Sequence, residues 1–125
     1  MKDMSLDKPD RLPIYIRKEM LKLFDNMVDE GLISICEKED VSYHDYIKRG
    51  NRYRSCTIEA ELGYKKGKRD DHKIMNKLRL LVLEFVENLA DEIQLNITSV
   101  VISREEHIKA YIKLERTIYG YDPNE

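Results

Sequence analysis

The sequence predicts a small single α+β domain, in which an antiparallel or mixed sheet of about four strands is covered by two helices. Two segments repeat apolar residues at helical spacing, and four shorter ones are apolar runs or alternate apolar and polar residues as strands do. Of the 125 residues, 42% are hydrophobic and 37% are charged, which is typical of a globular domain with its own core. We expect this domain over residues 12–119, between a flexible segment (1–11) and a tail (120–125).

The first helix is predicted to begin at Pro13. Proline has no backbone N–H to donate, and an N–H in the first turn of a helix has no partner within the helix in any case. Six apolar residues then share one helical face: Ile16, Met20, Leu23, Phe24, Met27 and Val28. Gly31 is placed to end the helix in a left-handed cap. The apolar run 32–36 that follows predicts a short buried strand.

Residues 40–50 allow two interpretations. Ser42 and Asp45 resemble a capping box, and Gly50 could end a short helix over residues 43–49. A β-structured loop fits the same residues almost as well.

Residues 54–62 are predicted as a strand, because Cys56, Ile58, Ala60 and Leu62 alternate with polar residues. Thr57, Glu59 and Glu61 then face the opposite side. The two cysteines, Cys36 and Cys56, both lie in predicted strands. Since the N-terminus shows no secretion signal, we expect them to be reduced core thiols.

The strongest helix signal begins at Asp70 or Asp71, either of which can cap the helix, and continues to about Gln94. Nine apolar residues follow helical spacing: Ile74, Met75, Leu78, Leu81, Val82, Phe85, Val86, Leu89 and Ile93. Leu80 and Leu83 widen the apolar arc beyond what one sheet face needs. Such a helix is central to a core or buries a second face in a partner, so we expect a homodimer contact here.

The C-terminal part predicts two strands, 97–103 and 107–118, joined by the polar turn 104–106. In the second strand Ile108, Ala110, Ile112 and Leu114 are expected to face inward. Lys109, Tyr111 and Lys113 then face outward. These lysines would complement Glu59 and Glu61 if the two strands are neighbours.

Charge is unevenly distributed along the chain. Residues 1–47 carry a net charge of −4, residues 48–79 of +7 and residues 80–125 of −5. A basic stretch within an acidic chain indicates a surface that faces anions. The segment 65–69 also leads into the start of the long helix, where free N–H groups favour phosphate.

Tyrosines are interleaved with these cations. Nucleic-acid binding uses this combination, because cations neutralise phosphates and aromatic rings stack on unpaired bases. The sequence therefore predicts a non-enzymatic protein that binds nucleic acid or phosphate. Its candidate binding residues are Lys48, Arg49, Arg52, Arg54, Tyr64, Lys65, Lys66, Lys68, Arg69 and Lys73. A lysine-rich loop that is merely solvated explains the same charges without a function.

Three histidines, His44, His72 and His107, each adjoin a carboxylate, a combination that can hold a metal if the residues converge in space. Helix capping and turn formation account for the acidic residues equally well. There is no nucleophile motif and no glycine-rich phosphate loop. We therefore expect no metal, no other cofactor and no catalytic residue.

Residues 53–117 resemble the RusA-type Holliday-junction resolvases in the order strand, basic stretch with aspartate, long helix and β-hairpin. Those enzymes hold metal with an Arg-Asp-x-Asp-Asn run and a downstream lysine. This chain has Arg69-Asp70-Asp71-His72-Lys73 and Lys77, so the second aspartate and the asparagine of that run are missing. The resemblance implies a metal-dependent nuclease as one alternative function.

A further alternative is a protein-interaction module, such as an adaptor or an inhibitor of another protein. Small size, the lack of a catalytic motif and acidic flanking segments fit this class as well as nucleic-acid binding. The longest apolar run, residues 80–83, is far too short for a membrane span. We expect a soluble cytoplasmic protein that does not contact a membrane.

Overall fold

The computed structural model describes residues 12–63 and 72–118, which form two helices and four strands in the order α-β-β-α-β-β. The elements are α1 (Leu12–Asp29), β1 (Ile35–Lys48), β2 (Asn51–Gly63), α2 (His72–Ile93), β3 (Asn96–Arg104) and β4 (Ile108–Ile118). The strands form one antiparallel sheet in the order β1-β2-β4-β3. The predicted α+β class is confirmed. The predicted terminal segments 1–11 and 120–125 lie outside these residues.

Each helix is followed by a β-hairpin, so the chain runs twice through the same helix–strand–strand order. The second strands of the two hairpins, β2 and β4, pair with each other at the centre of the sheet. The first strands, β1 and β3, form its two edges. Within each helix–strand–strand unit, consecutive elements are neighbours in space, as short connections require.

The core lies between the two helices and one face of the sheet. The inward residues predicted for the central strands are confirmed, with Cys56, Leu62, Ile108 and Leu114 each 0% exposed. Six residues of α2 are buried against them: Met75, Leu78, Val82, Val86, Leu89 and Ala90. The opposite face of the sheet is covered by no element within residues 12–63 and 72–118.

The helix interpretation of residues 43–49 is wrong, because β1 runs without interruption to Lys48. Ser42 lies opposite Thr57 in the β1–β2 ladder and caps nothing. Arg49 and Gly50 have φ angles of 53° and 77°, which are those of a two-residue type I′ turn. Hydrogen bonds to β2 pair backbone N–H and C=O groups of residues 43–48, which a helix would have paired within itself.

The strand predicted at residues 32–36 begins only at Ile35. Gly31, with φ at 77°, ends α1, and the N–H of Leu32 donates to the carbonyl of Met27 at 2.9 Å. Leu32 and Ile33 are buried as predicted, but they pack into the core from the connection between helix and strand.

The end of α2 agrees with the prediction to within one residue. Gln94 adopts a left-handed φ of 60°, and the N–H of Leu95 donates to the carbonyl of Ala90 at 3.1 Å. The predicted caps Asp70 and Asp71 lie outside the described residues. Neither described helix carries an apolar stretch long enough to cross a bilayer.

Both cysteines are free thiols. Cys36 lies opposite Leu62, six residues along β2 from Cys56, so roughly 20 Å separates the two along the sheet. A disulfide needs Cα atoms within about 7 Å, which excludes a bond between them in this fold. Burial raises the pKa of the Cys56 thiol to about 12. The pKa of Cys36 is also raised, mainly because its thiol is partly desolvated and secondly because the negative charge of Glu39 is close to it.

Candidate nucleic-acid interface

The predicted basic residues that the structure describes lie at two places. Lys48 and Arg49 lie at the β1–β2 turn, whereas Lys73 lies in the first turn of α2, one turn before Lys77, which contacts Glu30 near the other end of β2. The 13 residues of β2, rising about 3.3 Å each, span roughly 40 Å between these two ends. Arg52 and Arg54 lie near the turn. The predicted binding residues Tyr64, Lys65, Lys66, Lys68 and Arg69 are outside the described ranges.

The end of the sheet at the β1–β2 turn is strongly basic. We define this hairpin end as residues 44–54 together with residues 113–117 of β4, which hold six Lys/Arg and two Asp/Glu. At the opposite end, residues 37–40, 59–62 and 104–111 hold three Lys/Arg and seven Asp/Glu. Among these residues the sheet is thus positive at one end and negative at the other.

Two of the cations at the hairpin end were missed by sequence analysis. Lys113 and Arg116 belong to the acidic last third of the chain, and only strand pairing brings them to this end. Arg116 lies opposite Arg54, and Lys113 lies opposite Thr57. No local pattern marks them, because a register between distant strands is not a local property.

Tyrosine rings lie on the uncovered sheet face at this same end. Tyr46 and Tyr53 are direct neighbours across β1 and β2, and their rings stack with centroids 5.2 Å apart at 20°. The ring of His44 lies 5.9 Å from that of Tyr46. Both tyrosines are partly exposed, so the pair presents aromatic surface to solvent.

Tyr46 is fixed by a carboxylate on the central strand. Its hydroxyl donates to Glu115, and this hydrogen bond raises the pKa of Tyr46 to about 12. The ammonium group of Lys113 lies 3.8 Å from the same carboxylate. The negative charge of Glu115 is therefore engaged by two neighbours instead of facing a ligand alone.

On the helix-facing side of the hairpin end, one aspartate holds two arginines. Asp45 accepts hydrogen bonds from Arg52 Nη2 at 2.8 Å and from Arg54 Nε at 3.2 Å. Desolvation acts to raise the pKa of Asp45, but the hydrogen bonds from Arg54 and Arg52 outweigh it, and the pKa is lowered. Arg54 also lies 6.0 Å from the ring centroid of Tyr43.

Arg116 is the third arginine on this side, and no carboxylate within the described residues contacts it. Its Nε is buried and has no hydrogen-bond partner among those residues. Like charges directly opposite each other in a ladder are destabilising, and Arg116 lies opposite Arg54. On this side of the defined hairpin end, Asp45 contacts two of the three arginines, Arg52 and Arg54, so an anion would relieve their remaining repulsion.

The histidines are dispersed. His44 belongs to the tyrosine cluster, His72 begins α2, and the Nε2 of His107 contacts the carboxylate of Glu37. Within residues 12–63 and 72–118, no three His, Cys, Asp or Glu side chains are placed to hold a metal ion. Of the residues that resemble the resolvase run, Asp70 and Asp71 lie outside those ranges, and Lys77 contacts Glu30 at 2.5 Å.

The chain matches no protein-family model, no curated protein and no solved structure. Two helices on a four-stranded antiparallel sheet are compatible with many unrelated functions. Function is therefore inferred from the chemistry of the hairpin end alone.

Proposed function

We propose that the protein is a non-enzymatic binder of single-stranded nucleic acid, which lies on the uncovered sheet face at the hairpin end. The observation that carries this proposal is the position of the stacked pair Tyr46 and Tyr53 at the basic end of the sheet. The tyrosines supply faces for bases. Lys48, Arg49 and Lys113 supply charge for phosphates.

A single strand fits this surface better than a duplex. Aromatic side chains stack only on bases that are free of their own stacking partners, and a base pair inside a duplex does not expose its faces. Tyr46 and Tyr53 are further flanked by polar side chains that can hydrogen-bond to base edges, among them His44, Asn51 and Thr117.

The charge distribution along the sheet favours one position for a polyanion. The excess of cations at the hairpin end attracts phosphates, whereas the carboxylates of residues 37–40 and 59–62 repel them. Arg52, Arg54 and Arg116 lie on the other side of the sheet. They add to the local potential without touching the same bases.

The electrostatic part is tested by removing two turn cations. In Lys48→Gln, Arg49→Asn, the asparagine tolerates the left-handed backbone of position 49. We expect weaker binding of a labelled ten-residue oligothymidine in fluorescence anisotropy. The slope of log affinity against log salt should become shallower by about 1.4, because each lost phosphate contact with a single strand removes about 0.7. Lys109→Gln, at the acidic end, is the control and should leave the slope unchanged.

The stacking part is tested by Tyr53→Ala, with Tyr111→Ala as the matched control. Tyr111 lies on the same sheet face at the acidic end and is 38% exposed. Loss of a stacked base costs about 1–3 kcal/mol, so Tyr53→Ala should bind roughly 5- to 150-fold more weakly. Circular dichroism melts establish that both variants are folded.

Two results would overturn the proposal. One is equal weakening by Tyr53→Ala and Tyr111→Ala, which would mean that the tyrosine pair is not the binding surface. The other is a folded wild type that binds no oligonucleotide at 50 mM salt. That result would leave the protein-interaction alternative, with an anionic protein surface on the same basic end.

A further inference from the structure

The solvent-facing side of α2 has an ordered sequence of charges around two leucines. Leu80 is 66% exposed and Leu83 is 42% exposed, near the middle of the helix. Lys73 and Lys77 precede them. Three exposed acidic residues follow them: Glu84, Glu87 and Asp91.

These residues form a continuous stripe. At 3.6 residues per turn, side chains seven positions apart lie within about 20° of each other around a helix. Lys73, Leu80 and Glu87 are related in this way, and Lys77, Glu84 and Asp91 form the adjacent column. The stripe therefore reads basic, apolar and acidic from the N-terminal to the C-terminal half of α2.

This order of charges is complementary to that of a second α2 running in the opposite direction, because the basic half of each helix then meets the acidic half of the other. About a two-fold axis between residues 80 and 83, Leu80 faces the second copy's Leu83. Lys77 and Lys73 then lie one residue, or about 1.5 Å along the helix axis, from the positions directly opposite Glu87 and Asp91 of the second copy, which long charged side chains can span. A parallel arrangement would instead place like charges together. Self-complementarity under a two-fold axis is the property that a symmetric dimer interface requires.

We infer that α2 packs antiparallel against α2 of a second copy of this chain, which forms a two-fold dimer. Burial of Leu80 and Leu83 provides the attraction, and the charged pairs at either end set the orientation. Lys77 already contacts Glu30 of its own chain, so Glu87 of the second copy would join an existing ion pair. The helices then lie inside the dimer, and both uncovered sheet faces point outward.

The dimer is tested by mass measurement in solution over a range of concentrations. Light scattering coupled to size exclusion should approach about 30 kDa for the wild type, twice the 14.9 kDa of one chain. Leu80→Glu, Leu83→Glu should remain at 14.9 kDa with an unchanged circular dichroism spectrum. Leu21→Glu, on α1 and 46% exposed, is the matched control and should still dimerise. A wild type that is monomeric at every concentration would exclude the dimer.

The orientation is tested at position 76, which is exposed and lies opposite Glu87 of the second copy in this arrangement. Asn76→Lys should lower the dimer dissociation constant several-fold, and Asn76→Glu should raise it by a similar factor. In a Glu87→Lys background the two effects should exchange sign. If the sign stays the same in both backgrounds, residues 76 and 87 do not face each other and the antiparallel arrangement is wrong.

Discussion

Leu78→Ala should lower the free energy of unfolding by about 2–5 kcal/mol, because it leaves a cavity in the core beneath α2. Leu78 is 0% exposed and lies in the middle of the buried stripe of that helix. Urea denaturation followed by circular dichroism measures the change. The midpoint should fall while the dependence of stability on urea concentration stays the same, since the fold is retained.

The control for this substitution is Leu21→Ala. Leu21 is also a helical leucine, but it is 46% exposed on α1. Its truncation should change stability by no more than about 0.5 kcal/mol. Equal losses in the two variants would contradict the assignment of Leu78 to the core.

The position of α2 in the core shows what periodicity can and cannot provide. The apolar spacing identified the helix and its approximate ends, since both depend on neighbours along the chain. It did not identify the centre of the buried face. Leu78 and Val86 are fully buried, whereas Leu81 and Phe85 are only partly buried. The sheet and α1, which are distant in sequence, decide this rotation.

The β1–β2 hairpin shows the opposite limitation. Ser42, Asp45 and Gly50 carry local signals that a short helix and a turn both use. Alternation over residues 54–62 was unambiguous, but its partner strand was not marked in the same way, because polar residues occupy both faces of β1 near the turn. Pairing with β2 decided between two locally acceptable structures.

The candidate site was only partly predictable for a related reason. The basic stretch 48–79 includes the four cations that lie near the β1–β2 turn, Lys48, Arg49, Arg52 and Arg54. It could not show that Lys73 lies at the other end of a long strand. Nor could it show that Arg116 joins Arg54 through the β2–β4 register. Sequence distance and spatial distance diverge most where long strands pair.

Asp45→Asn should have two opposite effects, a loss of stability and a gain in oligonucleotide affinity. The carboxylate of Asp45 holds Arg52 and Arg54, and Arg116 is close by on the same side of the sheet. Without it, Arg52 and Arg54 lose the carboxylate that they share, and Arg54 still lies opposite Arg116. We expect a loss of about 1–2 kcal/mol, below the 3–5 typical of a fully buried pair. The reason is that Arg52 is 41% and Asp45 23% exposed.

The loss of stability should depend on pH in a defined direction. The folded-state pKa of Asp45 lies below its ordinary value of 3.8. Its stabilising contribution is therefore complete at pH values above about 3.8 and disappears as the pH falls through the lower folded-state pKa. The difference in unfolding free energy between wild type and Asp45→Asn should stay constant from pH 7 to about pH 5 and shrink below pH 4. A difference that grows on acidification would contradict the arginine pairing.

The gain in affinity tests whether oligonucleotide binding depends on the charge at the hairpin end or on the net charge of the whole protein. Asp45→Asn raises the excess of positive charge at the hairpin end, so it should tighten binding of the ten-residue oligothymidine at 50 mM salt and less so at 200 mM. Asp25→Asn makes the same change in net charge on the exposed side of α1, away from that end, and is the control. Because screening confines electrostatic attraction to about 10 Å at 0.1 M salt, Asp25→Asn should leave affinity unchanged. Equal tightening by both variants would mean that the oligonucleotide responds to the whole protein, and that the hairpin end is not its binding site.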